Sequence, residues 1–335
     1  MKLKKGIIIS MMLIMVLGSF SLAAAAEITV EDYEGHKVTL ETPVRKIVCT
    51  TTSANQIIMA LDSFDKVIAW DKNSQEDIFP LPEKSRKVVA DSSHSPQIEA
   101  IAELDPDLVI ADTMLQEAHR KKIESFDIPV IVERMSDPDR LLTTIKNIGK
   151  IVEKEKRASE LVSFITKYRK IIKERTADLS KKDKRKVYWE WFKPFKTGSS
   201  GASVHPKIVQ AGGTNICAEA KGRYPTVSSK YVWESNPEVI VKQAIRGASP
   251  LQMKKAYNKL IKRTSLSSTA AVKNKEVHVI TWDITSGLPS VVGDLYFAKW
   301  IQPDLFEDIN PEKVYGKLLQ KFFGVKEFTS RVYPD

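Results

Sequence analysis

The sequence predicts an α/β protein of two Rossmann-like lobes, each built on a central, mainly parallel sheet and joined by one long α-helix. Three observations carry that expectation. Short apolar runs alternate with helical patterns between Lys46 and Val132. A stretch from Asp139 to Leu179 is helical in pattern and contains no strand. A second alternation of strands and helices begins at Lys186. Strands spaced by helix-length segments read as βαβ units and a parallel sheet.

The elements follow in order. Met1–Lys5 holds three lysines and no acid, Gly6 to about Leu22 is apolar, and Ala23–Ala26 is small. A basic head, an apolar middle and an A-x-A-like end are the parts of a secretory signal peptide. A retained membrane anchor is the competing reading, since the run is near the shortest that spans a bilayer. The alanines before Glu27 favour cleavage, so 1–26 is expected to be an export signal. The mature chain is then expected in the periplasm or another extracytoplasmic space. No cysteine stands at the cleavage region, so no lipid anchor is indicated.

Residues 27–44 alternate polar and apolar around Glu34-Gly35-His36 and read as a β-hairpin. Residues 45–152 form the expected N-terminal α/β lobe. Its strands are read at Lys46–Thr50, Lys66–Trp70, Lys87–Ala90, Leu108–Ala111 and Val130–Val132. Residues 153–180 are the expected linker helix, with Leu161, Phe164, Ile165, Tyr168, Ile171 and Ile172 at helical spacing and no Pro or Gly from Ile151 to Leu179. A helix of about 25 residues is roughly 37 Å long, enough to run along two domains. Residues 181–335 form the expected C-terminal lobe, with strands at Val187–Trp191, Val239–Lys242 and Val277–Trp282 and a closing helix at Pro311–Phe323.

Composition narrows the function classes. The formal charge is +10, and removing 1–26 takes away three lysines and no acid, leaving +7. A basic chain suits nucleic acid, an anionic membrane or an anionic ligand. The lysines are scattered through helical stretches without interleaved aromatics, which points to solvated helix faces and away from nucleic acid. Cys49 and Cys217 lie in apolar contexts in different lobes, so buried free thiols are expected. No G-x-S-x-G, P-loop or G-x-G-x-x-G is present, and no enzyme is expected.

Six segments recur in one order: Pro43–Cys49, Ile98–Ile110, Ala211–Ile216, Asn236–Ile240, Ala271–Val277 and Ala298–Phe306. In these the chain resembles the helix-linked solute-binding proteins of ABC importers for iron-siderophores, haem and cobalamin. The resemblance implies reversible capture of a metal chelate by a monomer that delivers it to an ABC permease and its ATPase. It also implies docking through one glutamate near the top of each lobe. Glu99 matches the first position; the second falls within Val227–Val232, where this chain has Lys230, and Glu234 one turn later could substitute if that segment is helical. A sensing or scavenging protein without a permease is the alternative, as is a protein for a bare divalent metal.

In open α/β sheets, ligands sit beyond the carboxyl ends of the strands. In the first lobe that rule offers Thr51, Ser53, Trp70, Asp71, Ser93, His94, Met114 and Arg134, of which Trp70, His94 and Arg134 are nominated. In the second lobe it nominates Trp189, Trp191, Lys193, Arg223, Tyr224, Arg246 and Trp282. Aromatic faces with a few cations suit a large, partly apolar, anionic chelate, although ordinary packing is the competing reading for each tryptophan. Trp189 and Trp191 point to one strand face and are expected to share a role. The histidines do not converge as a zinc site requires, so neither a resident metal nor a cofactor is expected.

Overall fold

In a computed structural model that describes residues 26–76, 86–135 and 137–334, the chain begins with an antiparallel hairpin, β1 (Ala26–Glu31) and β2 (Lys37–Thr42). The export-signal reading of the N-terminus falls, Ala26 apart, outside the described residues. The first lobe then follows as β3 (Ile47–Cys49), α1 (Thr52–Ala60), β4 (Val67–Asp71), α2 (Lys72–Glu76), β5 (Lys87–Ala90), α3 (Ile98–Ala102), β6 (Leu108–Asp112), α4 (Glu117–Glu124), β7 (Val130–Glu133) and α5 (Pro138–Ile151). Its five strands are all parallel, in the order β5-β4-β3-β6-β7. The strands β3 and β7 are buried at every position, as expected where helices cover both sheet faces.

The long helix α6 (Glu155–Thr176) leads to the second lobe. This comprises β8 (Arg185–Glu190), α7 (Val204–Gln210), β9 (Gly213–Asn215), α8 (Ser229–Ser235), β10 (Val239–Ala244), α9 (Pro250–Ile261), α10 (Ala270–Lys273), β11 (Val277–Thr281), α11 (Ser290–Ile301), α12 (Pro311–Phe323) and β12 (Val332–Tyr333). The order is β12-β11-β10-β8-β9, with only β12 antiparallel. The predicted architecture is therefore the observed one. The sequence reading missed β9 and β12, which have three and two residues and are too short to show a period.

The helical stretch consists of two helices. The chain leaves α5 through Glu153 in a left-handed conformation (φ 59°) and re-enters as α6, whose 22 residues span roughly 33 Å. Gly149 permits the two helices to touch, since a Cβ there would lie 2.4 Å from that of Ala158. Along α6, Leu161, Ile165, Tyr168 and Ile172 are buried in an apolar cluster that continues into both lobes, from Ile58 of α1 to Leu295 of α11 and Leu318 of α12. Arg157 adds a polar tie. Its guanidinium donates to the Ala60 carbonyl at the end of α1 (2.5 Å) and to the Phe322 carbonyl in the last turn of α12 (3.1 Å). Both cysteines are free and buried. Among the described residues no helix is long and apolar enough to cross a membrane.

Candidate ligand-binding cleft

Between the lobes, the strand ends form a cleft of about 700 Å³. The first lobe supplies Thr50–Ser53 after β3, Asp71 at the end of β4, Asp112 at the end of β6, and Arg134 after β7; the second supplies Arg246, Trp282 and Ser286. A smaller chamber of about 150 Å³ adjoins it, sharing Met135, Trp282 and Ser286 and reaching Trp189, Lys207, Arg223 and Tyr224. In the first lobe the lining centres on β3 and β6, where the strand order reverses, the usual ligand position in an open sheet.

The first-lobe wall is rich in hydroxyls and held by buried hydrogen bonds. Ser93, fully buried, donates to the Thr50 carbonyl (2.7 Å) and accepts from the Asp112 N–H (3.1 Å), tying three strand ends together. Asp71 accepts from the Ser74 hydroxyl, which in turn accepts from Asn55 Nδ2 (2.8 Å). Burial pushes the Asp71 carboxyl up to about 6, against its hydrogen bonds to Ser74, with the Asp112 charge adding to the rise. Asp112 is also raised by burial. Arg134 donates to the Tyr33 hydroxyl at 2.9 Å and lies 5.7 Å from the centre of that ring, so the hairpin positions a cleft cation.

The second-lobe wall is aromatic. Trp191 stacks on Trp189 (6.2 Å), Tyr224 (4.4 Å) and Trp282 (6.4 Å), and Phe192 packs on Trp191 and Trp282. A buried ion network braces the loop after β8. Glu190 accepts both arms of Arg263 (2.6 and 3.0 Å) and pairs with Lys242 at 3.0 Å, and Lys242 also donates to the Trp191 carbonyl. Burial opposes ionisation of Glu190, but Arg263 and Lys242 outweigh it and hold the carboxyl below its usual range.

Six of the ten residues nominated from sequence line the two chambers: Arg134, Trp189, Arg223, Tyr224, Arg246 and Trp282. Trp191 stands within the aromatic stack that supports them. Three nominations are corrected by position. Trp70 is fully buried against Phe64, because neighbours in a strand face opposite ways and Asp71 takes the cleft side. His94 and Lys193 are exposed, and neither lines the cleft. Sequence reasoning missed Asp112, Lys207, Gln243 and Ser290 as lining residues. Asp112 ends a strand and could have been found by the same rule; Lys207 sits within α7 and carries no local signal.

Among the described residues, the His and carboxylate cluster close enough to hold a metal is Asp32, Glu34 and His36. Arg120 already occupies it, because its Nη1 lies 2.8, 3.0 and 2.8 Å from the three and shares two N–H groups among them. Burial works against ionised Asp32, but Arg120 and the backbone N–H groups of His36 and Val132 hold its carboxyl below the usual range.

The sequence profile of the periplasmic binding proteins matches residues 47–283, which takes in the first lobe, the linker and the second lobe as far as Asp283. The chain belongs to the periplasmic binding protein family. It is a substrate-binding protein and not an enzyme. Among relatives of this periplasmic binding protein, the molybdate-binding protein MolA of Haemophilus influenzae is 24% identical, the match spanning 96% of this chain and 97% of that protein. The cobalamin-binding protein of Halobacterium salinarum is 24% identical over 81% of this chain and 72% of its own length. MolA bound to molybdate superimposes with a TM-score of 0.74 at 21% identity, covering 90% of this chain and 99% of MolA. A TroA-like protein, FepB, of Veillonella parvula reaches 0.78 at 20% identity, covering 91% of this chain and 99% of that one. At these identities the superpositions speak for the fold alone.

Proposed function

We propose that this periplasmic binding protein is the extracytoplasmic component of an ABC importer and captures a metal complex in the inter-lobe cleft. The observation that carries the reading is a single cleft lined from both lobes, with Arg134 from one side and Arg246, Arg223 and an aromatic wall from the other. Its volume of about 700 Å³ lies within the range of roughly 300–1,000 Å³ typical of small-molecule sites. Aromatic faces beside guanidinium groups suit an iron chelate such as a siderophore or haem, or a corrinoid such as cobalamin. A free tetrahedral oxyanion is a second reading, favoured by the relation to MolA.

In this proposal residues 1–26 are an export signal, 27–44 a hairpin brace, and 45–152 and 181–335 the lobes that close on cargo, with 153–180 as a stiff connector. The chain acts as a monomer that meets an ABC permease and its ATPase through Glu99 and Glu234. Both are exposed, and α8 puts Glu234 on a helix as the substitution requires. Tryptophan fluorescence titration tests capture, since Trp282 lines both chambers. Ferric siderophores, haem, cobalamin, molybdate and free zinc are the probes. A metal complex or oxyanion is expected to alter the emission; a response to free zinc alone overturns the proposal.

A further inference from the structure

The two chambers of the cleft differ in charge. Among the described residues, the larger is lined by three carboxylates, Asp71, Glu76 and Asp112, and the smaller by none. The smaller chamber instead has Lys207, Arg223 and the hydroxyls of Ser203, Tyr224 and Ser290. Resting on the function proposed above, we propose that this smaller chamber is an oxyanion pocket, taking one compact, anionic, oxygen-bearing group of the cargo.

Size is the first argument. About 150 Å³, against about 700 Å³ in the larger chamber, leaves the bulk of a chelate to the larger and room for one compact group in the smaller. Charge is the second. The Lys207 ammonium bonds Asp294 Oδ1 at 2.5 Å, and Arg169 of α6 approaches the other oxygen at 4.0 Å. Asp294 lines a neighbouring cavity that Lys207 also borders, and the ion pair uses one of the three Lys207 N–H donors. Lys207 and Arg223 line the chamber, and with Asp294 set against Lys207 one positive charge remains in excess. Donor supply is the third. Ser203 and Tyr224 share one hydrogen bond at 3.4 Å, which engages one hydroxyl proton and leaves the other to donate. Trp189, Val204 and Phe297 supply apolar walls, where charge attraction is screened less than in water. The larger chamber sets Asp71, Glu76 and Asp112 against Arg134 and Arg246, whereas the smaller has cations and no carboxylate in its lining, so the cleft orients cargo with its anionic end toward the smaller chamber.

Isothermal titration at pH 7.5 tests this with three probes: sodium molybdate, ferric citrate and a neutral ferric trihydroxamate. The variants are Arg223→Gln, at an exposed position, and the double substitution Lys207→Gln with Asp294→Asn, which removes the ion pair as a unit. The expected result is binding of molybdate or ferric citrate that weakens at least tenfold in each variant, with the melting temperature of Arg223→Gln unchanged. Molybdate binding identifies the free ion as the source of the group, and ferric citrate binding without molybdate identifies a group carried on a chelate. Wild-type affinity for both anions in both variants overturns the proposal. So does binding of the neutral chelate alone, which leaves the importer reading standing; binding of none of the three removes cleft capture of these complexes as well.

Discussion

Arg134, which lines the cleft, is hydrogen-bonded at 2.9 Å to the hydroxyl of Tyr33, a residue in the turn of the N-terminal hairpin. The hairpin lies outside both five-stranded sheets, yet it fixes the orientation of a lining cation. Tyr33→Phe keeps the ring under the guanidinium and removes only the hydroxyl. Loss of about 1 kcal/mol of hydrogen bonding should weaken an anionic probe about fivefold, with little change in melting temperature. Calorimetric titration of the variant beside wild type checks it.

Arg157 ties the ends of α1 and α12 to the start of α6, so one side chain spans both lobes and the connector. Arg157→Met should destabilise the protein by about 2–4 kcal/mol, the scale of two charge-assisted hydrogen bonds. The expected signature is a lower denaturant midpoint together with faster amide exchange in the last turn of α1. Unchanged exchange there would show that the apolar cluster alone holds the lobes.

Asp71 gives a pH dependence with a definite sign. Its folded carboxyl keeps a proton up to about pH 6, whereas an unfolded aspartate releases it near 4. Folding therefore favours the protonated form, and this contribution is fully present below about pH 4 and lost as pH rises through about 6. A shift of about two units corresponds to about 3 kcal/mol. The difference in unfolding free energy between wild type and Asp71→Asn, followed from pH 4 to 8, should grow in favour of the variant over that window. A flat difference sinks the assignment.

Gly287 sits at φ +65°, and a Cβ there would lie 2.9 Å from Ser53 Oγ and 3.1 Å from Gln56 Oε1, both on α1 of the opposite lobe. Gly287→Ala should cost about 1–3 kcal/mol in backbone strain and push the lobes apart at the cleft. Thermal melting and probe affinity should fall together.

Glu234 pairs with Lys230 at 3.7 Å, with both side chains well exposed, a contact worth little in water. It can therefore be exchanged for another cation. Charge reversal at Glu99 and Glu234 should lower uptake by a reconstituted importer and leave probe binding to the isolated protein intact. Loss of binding in those variants would move the two glutamates from docking to ligand capture or folding.

Much of this was legible in order along the chain. The strand runs of the first lobe and the closing helix Pro311–Phe323 appear close to where their apolar periods put them, because each is set by local pattern and burial. The cleft was less legible. The strand-end rule found Arg134, Arg246 and Trp282, yet it also named Trp70, since it locates a strand's end only to within a residue and one residue reverses the face.

The sequence by itself determined the two-lobed α/β class, the helical connector and the loops from which a ligand site could be built, because periodicity and strand order are properties of neighbours in the chain. Only the tertiary structure decided which side chains meet. Tyr33 reaches Arg134 across 101 positions, and Lys207 meets Asp294 across 87. It likewise decided that Arg120 fills the Asp32, Glu34 and His36 cluster, and that three carboxylates line one chamber and none the next among the described residues. Such pairings arise from how two sheets and a stiff helix pack, and packing brings together residues whose local sequences carry no trace of one another.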